Sequence, residues 1–276
     1  MSWRARLQID YRCQQQRTIA HHSHDGPLRV LQSLYPEGDG ICHNVLVHPP
    51  GGLVGGDTLT LDIHAQGCAH GLITTPGASR FYRSAGDLAV QTTRIVLADQ
   101  ARLEWLPLEA IAYNQCLAEN RLQLELAPEA ECLAWDITAL GLPQAGLPFV
   151  QGRYLQHIEI PGVWLERGLI DAQDPLLLDG VTGLAGRRCL ASLFFASGSA
   201  LTRQRRDTGL ALARQLIADH DLQCVAGATC PNSQVMVVRV LSDLVEPATV
   251  LLRQIWTAWR AHFWQLAASQ PRIWST

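Results

Sequence analysis

A strand–turn–strand pattern recurs about every thirty residues in the first half of the chain. Each unit has an apolar run ending in alanine, a turn of two or three residues, and a second apolar run opening with alanine. The first runs are residues 59–65, 94–98 and 122–127, and the second runs are residues 69–75, 101–107 and 130–136. Alternating apolar and polar residues are typical of half-buried strands. The pattern predicts hairpins. If the repeat is real, the hairpins stack into an elongated β structure; otherwise they are ordinary hairpins whose regular spacing is a coincidence.

The last third of the chain has a different pattern, which predicts two helices. Residues 207–220 begin with an Asp that could cap a helix, and Glu246-Pro247 opens a second helix that extends to residue 269. In the second helix the apolar residues form one stripe. Two arginines and a glutamine lie outside that stripe. The stripe is Val250, Leu251, Ile255, Trp259, Phe263 and Leu266, and the residues outside it are Arg253, Arg260 and Gln265.

The remaining segments complete a mostly β architecture. A fourth hairpin is predicted around a Pro-Gly turn, and two more strands are predicted between the helices. The hairpin spans residues 153–160 and 163–169, and the two strands span residues 222–228 and 234–240. No Gly/Ser-rich or Pro-rich linker divides the chain. We therefore expect a single domain over residues 1–276, with stacked β-hairpins resembling an irregular β-solenoid and two α-helices in the C-terminal third.

The chain contains no lysine, because all 22 of its Lys and Arg residues are arginine. This excludes Schiff-base aldolases, pyridoxal enzymes, Walker-type phosphate loops and protein kinases, each of which needs a lysine. The net charge of −3 provides no basic field for nucleic acid. The start lacks a secretory apolar region, and no run is long enough to span a membrane. We expect a cytoplasmic protein that binds neither nucleic acid nor membranes.

Eight cysteines are scattered along the chain without any CxxC pair. In a cytosolic chain such cysteines are mostly small buried side chains. We therefore expect neither a disulfide framework nor a zinc knuckle.

Residues 48–57 form the most unusual segment, with four glycines in six positions. The segment has neither the GxGxxG spacing nor the GxxxxGK spacing of nucleotide-binding loops. A constrained turn between strands is therefore favoured over a phosphate-binding loop. Asp57 ends it, and a carboxylate beside glycine-dense backbone could be reached by a ligand or an ion. Further along, Arg80, Tyr82 and Arg83 stand close together, and we interpret them as interface anchors in preference to a base-stacking strip.

Candidate metal ligands are numerous but unspecific. His21, His22 and His24 suit nickel, copper or zinc, and we expect an exposed loop with adventitious affinity. No zinc-protease, paired Cys/His or nucleophile-elbow motif is present. Asp136 and Glu166 lie within apolar strand ends, where exposure at a strand edge is the simplest explanation. If buried, each needs a partner, a proton or a cation.

Several motifs occur together in a fixed order along the chain. They are residues 26–30 (GPLRV), 35–38 (YPEG), 42–43 (CH), 48–57 (HPPGGLVGGD), 72–84 (LITTPGASRFYRS) and 103–107 (LEWLP). This series resembles the UreD (UreH) family of urease accessory proteins, densely over residues 26–110 and more thinly beyond. The family usually has Lys where Arg80 stands, so the local charge is kept.

The resemblance implies a mostly β fold with two helices and a non-enzymatic metallochaperone. Such a protein binds apo-urease, recruits UreF and through it the GTPase UreG, and helps insert nickel, with no permanently bound cofactor. Within this resemblance, Arg205, Arg206 and Trp274 are candidates for the UreF-binding surface, since Arg and Trp are typical interface anchors.

A nickel route must bind the ion weakly enough to release it, which favours carboxylates and hydroxyls over imidazole and thiolate. The candidates for such a polar path are Asp57, Thr75, Ser79, Asp136 and Glu166. Two other functions stay open at this point: a metal-dependent hydrolase that uses the scattered histidines, and a passive β scaffold.

Overall fold

The computed structural model describes residues 2–275, which form two large β-sheets, three α-helices and two short 3-10 helices. The strands are β1 (Arg4–Gln14), β2 (Arg17–Asp25), β3 (Arg29–Val30), β4 (Ile41–Val47), β5 (Thr58–Gln66), β6 (His70–Thr74), β7 (Ser79–Phe81), β8 (Ala89–Leu97), β9 (Arg102–Leu106), β10 (Ala110–Ala112), β11 (Cys116–Leu126), β12 (Glu131–Leu142), β13 (Leu147–Pro148), β14 (Gly152–Ile160), β15 (Trp164–Asp171), β16 (Cys189–Ser197), β17 (Ala226–Thr229) and β18 (Val235–Ser242). The α-helices are α1 (Pro175–Asp179), α2 (Arg203–Ala218) and α3 (Val245–Trp264), and the 3-10 helices are Pro143–Ala145 and Arg272–Ser275.

The two sheets face each other, and the chain passes repeatedly from one to the other. The first sheet has the order β15-β14-β11-β8-β5-β1-β2, and its five central strands run parallel. The main path of the second is β17-β18-β16-β12-β9-β6-β4-β3, with a parallel centre from β12 to β4. Each short turn carries the chain between sheets, from β5 to β6, from β8 to β9 and from β11 to β12. The solenoid-like stacking predicted from the repeat is confirmed.

The pairing inside each repeat differs from the hairpins that the sequence suggested. The two runs of a unit lie in opposite sheets, and each pairs with the equivalent run of the next unit. The alanines that flank the turns form the corner, where Ala98 N–H donates to the Ala65 carbonyl at 2.9 Å. Ala69, Ala101 and Ala130 are fully buried there, because only a small side chain fits. A two- or three-residue turn looks the same in sequence at a corner and in a hairpin.

The predicted C-terminal elements are confirmed with shifted ends. The β14–β15 hairpin and the antiparallel β17–β18 pair are present. Helix α2 begins four residues earlier than predicted, because Thr202 Oγ1 accepts from Arg205 N–H at 3.2 Å and caps it. Helix α3 ends at Trp264, where Gln265 adopts a left-handed φ of 54°. The short helix α1, capped by Asp174, was not predicted.

Helix α3 corrects two details of the predicted stripe. Leu251, Ile255 and Trp259 are fully buried, but Val250 is 47% exposed. Arg260, placed outside the stripe, is completely buried. Its guanidinium is paired with two carboxylates, which is what allows a charge at that position. The helix covers the outer face of the second sheet, and the larger apolar core lies between the two sheets. No helix in the described part of the chain is long and apolar enough to cross a lipid bilayer.

The scattered cysteines were expected to be mostly small buried side chains, and one pair of them departs from that expectation. Cys13 and Cys68 form a disulfide bond. The parallel register pairs Arg12 of β1 with Gln66 of β5, so the ends of these neighbouring strands bring both cysteines together. Because 55 residues separate them, spacing in the sequence gives no indication of the pair.

Candidate functional site

Three amide side chains stand in one row across the first sheet. Asn120 of β11 is in register with Gln91 of β8 on one side and with Gln156 of β14 on the other. Successive residues of a strand point to opposite faces, so Asn120 shares the face of the buried Ala118 and Leu122. The row therefore faces the interior between the sheets, where an unpaired amide would be costly.

Asp136 of β12 meets this row from the second sheet. Its carboxylate accepts hydrogen bonds from Gln156 Nε2 at 2.6 Å and from Asn120 Nδ2 at 3.1 Å. The Thr138 hydroxyl donates a third at 3.2 Å. Burial raises the pKa of Asp136, and the neighbouring Glu166 charge raises it further, against the lowering effect of hydrogen bonds from Gln156 and Thr138. Asp136 is thus a buried carboxyl group in a polar setting, and the exposed strand-edge explanation does not apply.

Glu166 of β15 extends the polar contacts toward solvent. It accepts from the Ser192 hydroxyl at 3.2 Å, and Ser192 is in register with Asp136 on the second sheet. On its outer side Glu166 pairs with Arg239, whose Nε is 2.9 Å away and whose side chain is half exposed. We refer to the connected set as the inter-sheet polar seam: Gln91, Asn120, Asp136, Gln156, Ser192 and Glu166.

At the other end the seam meets a cavity of about 360 Å³, which we call the loop cavity because the glycine-rich segment forms part of its wall. Thr75 and Ser79 line it, together with Gln91 of the seam. Ser79 and Gln91 also line a smaller void of about 20 Å³ that reaches Asn120 and Asp136. That volume holds about one water molecule. Polar groups therefore run from the loop cavity to Asp136 and on to Glu166.

Asp57 lies outside this arrangement, and the expectation that a ligand could reach it is wrong. It is 3% exposed, and its two oxygens accept from Trp3 N–H at 2.7 Å and Val54 N–H at 2.9 Å. It therefore fixes the glycine-rich segment as a constrained turn. Its charge also acts on His48, a residue of the loop cavity, where burial lowers the imidazole pKa and Asp57 opposes that shift.

The glycines of this segment permit close packing against the aromatic strip. A Cβ at Gly52 would lie 2.4 Å from the Tyr82 ring. Leu53 exchanges backbone hydrogen bonds with both Arg80 and Tyr82. Arg80, which lines the loop cavity, and Arg83 are both exposed, and Tyr82 packs on Tyr113 with ring centroids 5.1 Å apart.

The C-terminal interface candidates have different surroundings. Trp274 is buried: its Nε1 donates to Thr74 Oγ1 at 2.8 Å and its ring lies between Trp135 and Trp256. The tail tryptophan is thus part of the core, not a free anchor. Arg205 is half-buried and pairs with Glu131 at 2.7 Å.

Arg206 is partly exposed, and its guanidinium lies 3.6 Å from the carboxylate of Asp207. The side chains of Arg205 and Arg206 are 34% and 31% exposed, so both remain partly open to a partner, whereas Trp274 does not.

The histidines do not assemble into a metal centre among residues 2–275, where no three His, Cys, Asp or Glu side chains are placed to hold an ion. His21, His22 and His24 are exposed on β2, a strand in place of the expected loop. His43 and His70 are instead bonded to Glu37 and Glu104, at 2.7 and 2.9 Å.

Sequence reasoning missed the amides of the seam. Asn120 and Gln156 each occupy a position on the buried face of an alternating strand, and that interruption of an apolar face is the signal that could have found them. It also missed the two buried ion pairs that Arg260 forms with Glu37 and with Glu104. There the partners are far apart in sequence, and no local pattern joins them.

The sequence of the chain matches one family of known proteins. The profile described as "UreD urease accessory protein" matches residues 4–275. The urease accessory protein UreD of Variovorax paradoxus (strain S110) is 65% identical over 276 residues, and that of Polaromonas sp. (strain JS666) is 64% identical over 275 residues. The corresponding protein of Leptothrix cholodnii is 54% identical over 278 residues, and in all three cases both chains are covered completely. The chain therefore belongs to the UreD family of urease accessory proteins, which are chaperones and not enzymes.

Proposed function

We propose that this chain acts in the cytoplasm as a scaffold for urease maturation. In this role it binds apo-urease, recruits UreF and through it the GTPase UreG, and passes nickel toward the urease active site. Family membership supports the accessory role. Nickel is the cargo here and binds only transiently.

The observation that carries the transit proposal is the inter-sheet polar seam. Its side chains are carboxylates, amides and hydroxyls, which hold nickel less tightly than imidazole or thiolate. Weak sites in series let a cation enter one position and leave for the next. Thr75, Ser79, Asp136 and Glu166 lie along this line of polar groups, whereas Asp57 does not.

Asp136 supplies the charge at the centre of the proposed route. Its raised pKa means that a proton competes with the cation for the carboxylate. Nickel arriving at Asp136 binds the carboxylate, and the amides of Asn120 and Gln156 rotate to offer their oxygens to the ion. The pair of Glu166 with Arg239 then forms the outer gate, because the cation must compete with the guanidinium for Glu166.

Variants of Glu166 test the route at its outer end. Co-expressed with urease and the other accessory proteins, Glu166→Gln should lower urease activation, and Glu166→Trp should lower it further by filling the passage. Glu125→Gln, at an exposed ion pair on the same sheet, is the matched control. A pull-down with urease must show that all variants form the complex. Activation equal to wild type with Glu166→Trp would refute transit past this residue.

We further propose that Arg80, Tyr82 and Arg83 anchor a partner protein at the loop cavity. Two exposed guanidinium groups beside an aromatic ring are typical of interface hot spots. Arg80→Ala together with Arg83→Ala should weaken the pull-down of urease or UreF, whereas Arg94→Ala should not. An unchanged pull-down of both partners would place the interface elsewhere, with Arg206 as the next residue to test.

A further inference from the structure

A second cavity lies on the outer face of the second sheet, on the opposite side from the polar seam. Its floor is one cross-strand row: Ile41, His70, Arg102, Glu131 and Ser197 occupy equivalent positions on five neighbouring strands. Its volume is about 750 Å³. Phe263 in the last turn of α3, Leu266 just after that helix and Arg205 at the start of α2 complete the wall. We call it the Arg102 cavity.

Most charged groups on the floor and inner wall of this cavity already have partners. The two oxygens of Glu131 accept from Arg205 at 2.7 Å and from Trp264 Nε1 at 2.7 Å. Arg205 also donates to the Phe263 carbonyl at 3.3 Å. His70 is bonded to Glu104 behind the floor. These contacts engage both oxygens of Glu131 and pair its charge with Arg205.

Arg102 is the exception. Among residues 2–275, no carboxylate, carbonyl or hydroxyl accepts a hydrogen bond from its guanidinium, which instead lies 5.6 Å above the Trp264 ring. Burial lowers the pKa of Arg102, and the Glu131 charge opposes this while Arg205 adds to it. The guanidinium of Arg102 is half-buried at the cavity wall, and its five N–H donors face no acceptor from the described residues there, so they are available to a ligand.

We propose that the Arg102 cavity binds an oxyanion, a carboxylate or phosphate group, which the planar fork of Arg102 holds through two parallel hydrogen bonds. The chemistry fits, since a guanidinium matches both a carboxylate and a phosphate group bidentately. Ser199 and Gln100 line the same cavity and can add donors. Glu129 also lines it, but its side chain is exposed and screened by water. This site is independent of the nickel route.

Titration with acetate and with inorganic phosphate tests the site. Each anion should raise the melting temperature saturably at constant ionic strength set with chloride, and the stronger response identifies the preferred group. Arg102→Gln should weaken the apparent affinity at least tenfold, because a charge-assisted pair is lost. Arg203→Gln, at an exposed arginine on α2, should respond as wild type does. No saturable response in wild type, or an equal response in Arg102→Gln, would overturn the proposal.

A stability comparison distinguishes a ligand site from a structural arginine. In buffer free of oxyanions, Arg102→Leu should unfold at the same temperature as wild type or higher, because the variant loses no hydrogen bond or ion pair within the described part of the protein and keeps an apolar contact with Trp264. Arg205→Leu should unfold at a lower temperature, because it leaves Glu131 without its ion pair. A loss in Arg102→Leu as large as that in Arg205→Leu would show that Arg102 serves packing, and the proposal would fail.

Discussion

At the scale of single residues, buried charged side chains form contacts that attach helix α3 to the sheets. Arg260 donates two hydrogen bonds to Glu37, at 2.7 and 2.9 Å, and one to Glu104 at 3.0 Å. Burial alone would raise the pKa of Glu104, but hydrogen bonds and charges from His70 and Arg260 bring it below its ordinary value. Together these residues join α3 to the solenoid strands.

Removing Arg260 should therefore destabilise the fold strongly. Arg260→Leu leaves two carboxylates buried without a counter-charge, which costs about 3–5 kcal/mol. Urea denaturation measures the loss, and Arg94→Leu at an exposed ion pair should cost no more than about 1 kcal/mol. A similar small loss for both variants would show that the buried network contributes little.

The contribution of Asp136 to the stability of the fold depends on pH, because its pKa is raised, whereas that of Glu104 is lowered. Its pKa is raised in the folded state, so folding takes up a proton and the stability associated with this group falls as pH rises through the raised value. Asp136→Asn removes the titration. The variant should be at least as stable as wild type at pH 8, and its advantage should shrink as pH falls toward 4. Thermal unfolding across that range checks the sign, and a variant less stable at pH 8 than at pH 4, relative to wild type, would contradict it.

At the scale of elements, alternation in the sequence predicts where strands lie but not which strands pair. The runs 59–65 and 69–75 were identified as strands, and β5 and β6 are present. Their partners were not predictable, because a parallel ladder joins residues about thirty apart and leaves no local turn signal. The site follows the same rule. The apolar surroundings of Asp136 indicate a carboxylate that needs a partner if it is buried, and it is buried, whereas the glycines before Asp57 do not reveal where its side chain points.

The disulfide clamps the end of β1 to the corner between β5 and β6. Cys68→Ser should lower the free energy of unfolding by about 2–4 kcal/mol in oxidising buffer, because the reduced chain gains unfolded-state entropy. Adding dithiothreitol should remove the difference between variant and wild type. A difference that persists under reducing conditions would mean that the side-chain change, not the cross-link, is responsible.

At the scale of the whole molecule, two faces of one sheet carry separate sites. The inner face of the second sheet contributes Asp136 and Ser192 to the seam, and its outer face contributes Arg102 to an oxyanion site. Both use cross-strand rows, which a solenoid provides because its parallel register repeats. The proposed nickel route thus crosses the strands instead of following them.

Nickel bound per urease active site, after co-expression with each variant, shows whether the ion passes through the inter-sheet polar seam. Asp136→Asn changes one charge at the centre of the route and nearly keeps its shape. It should reduce nickel loading severalfold while the pull-down of urease stays at the wild-type level, because one carboxylate of a multi-site path is lost. Glu125→Gln should load normally. Normal nickel content with Asp136→Asn in an intact complex would contradict transit through the seam.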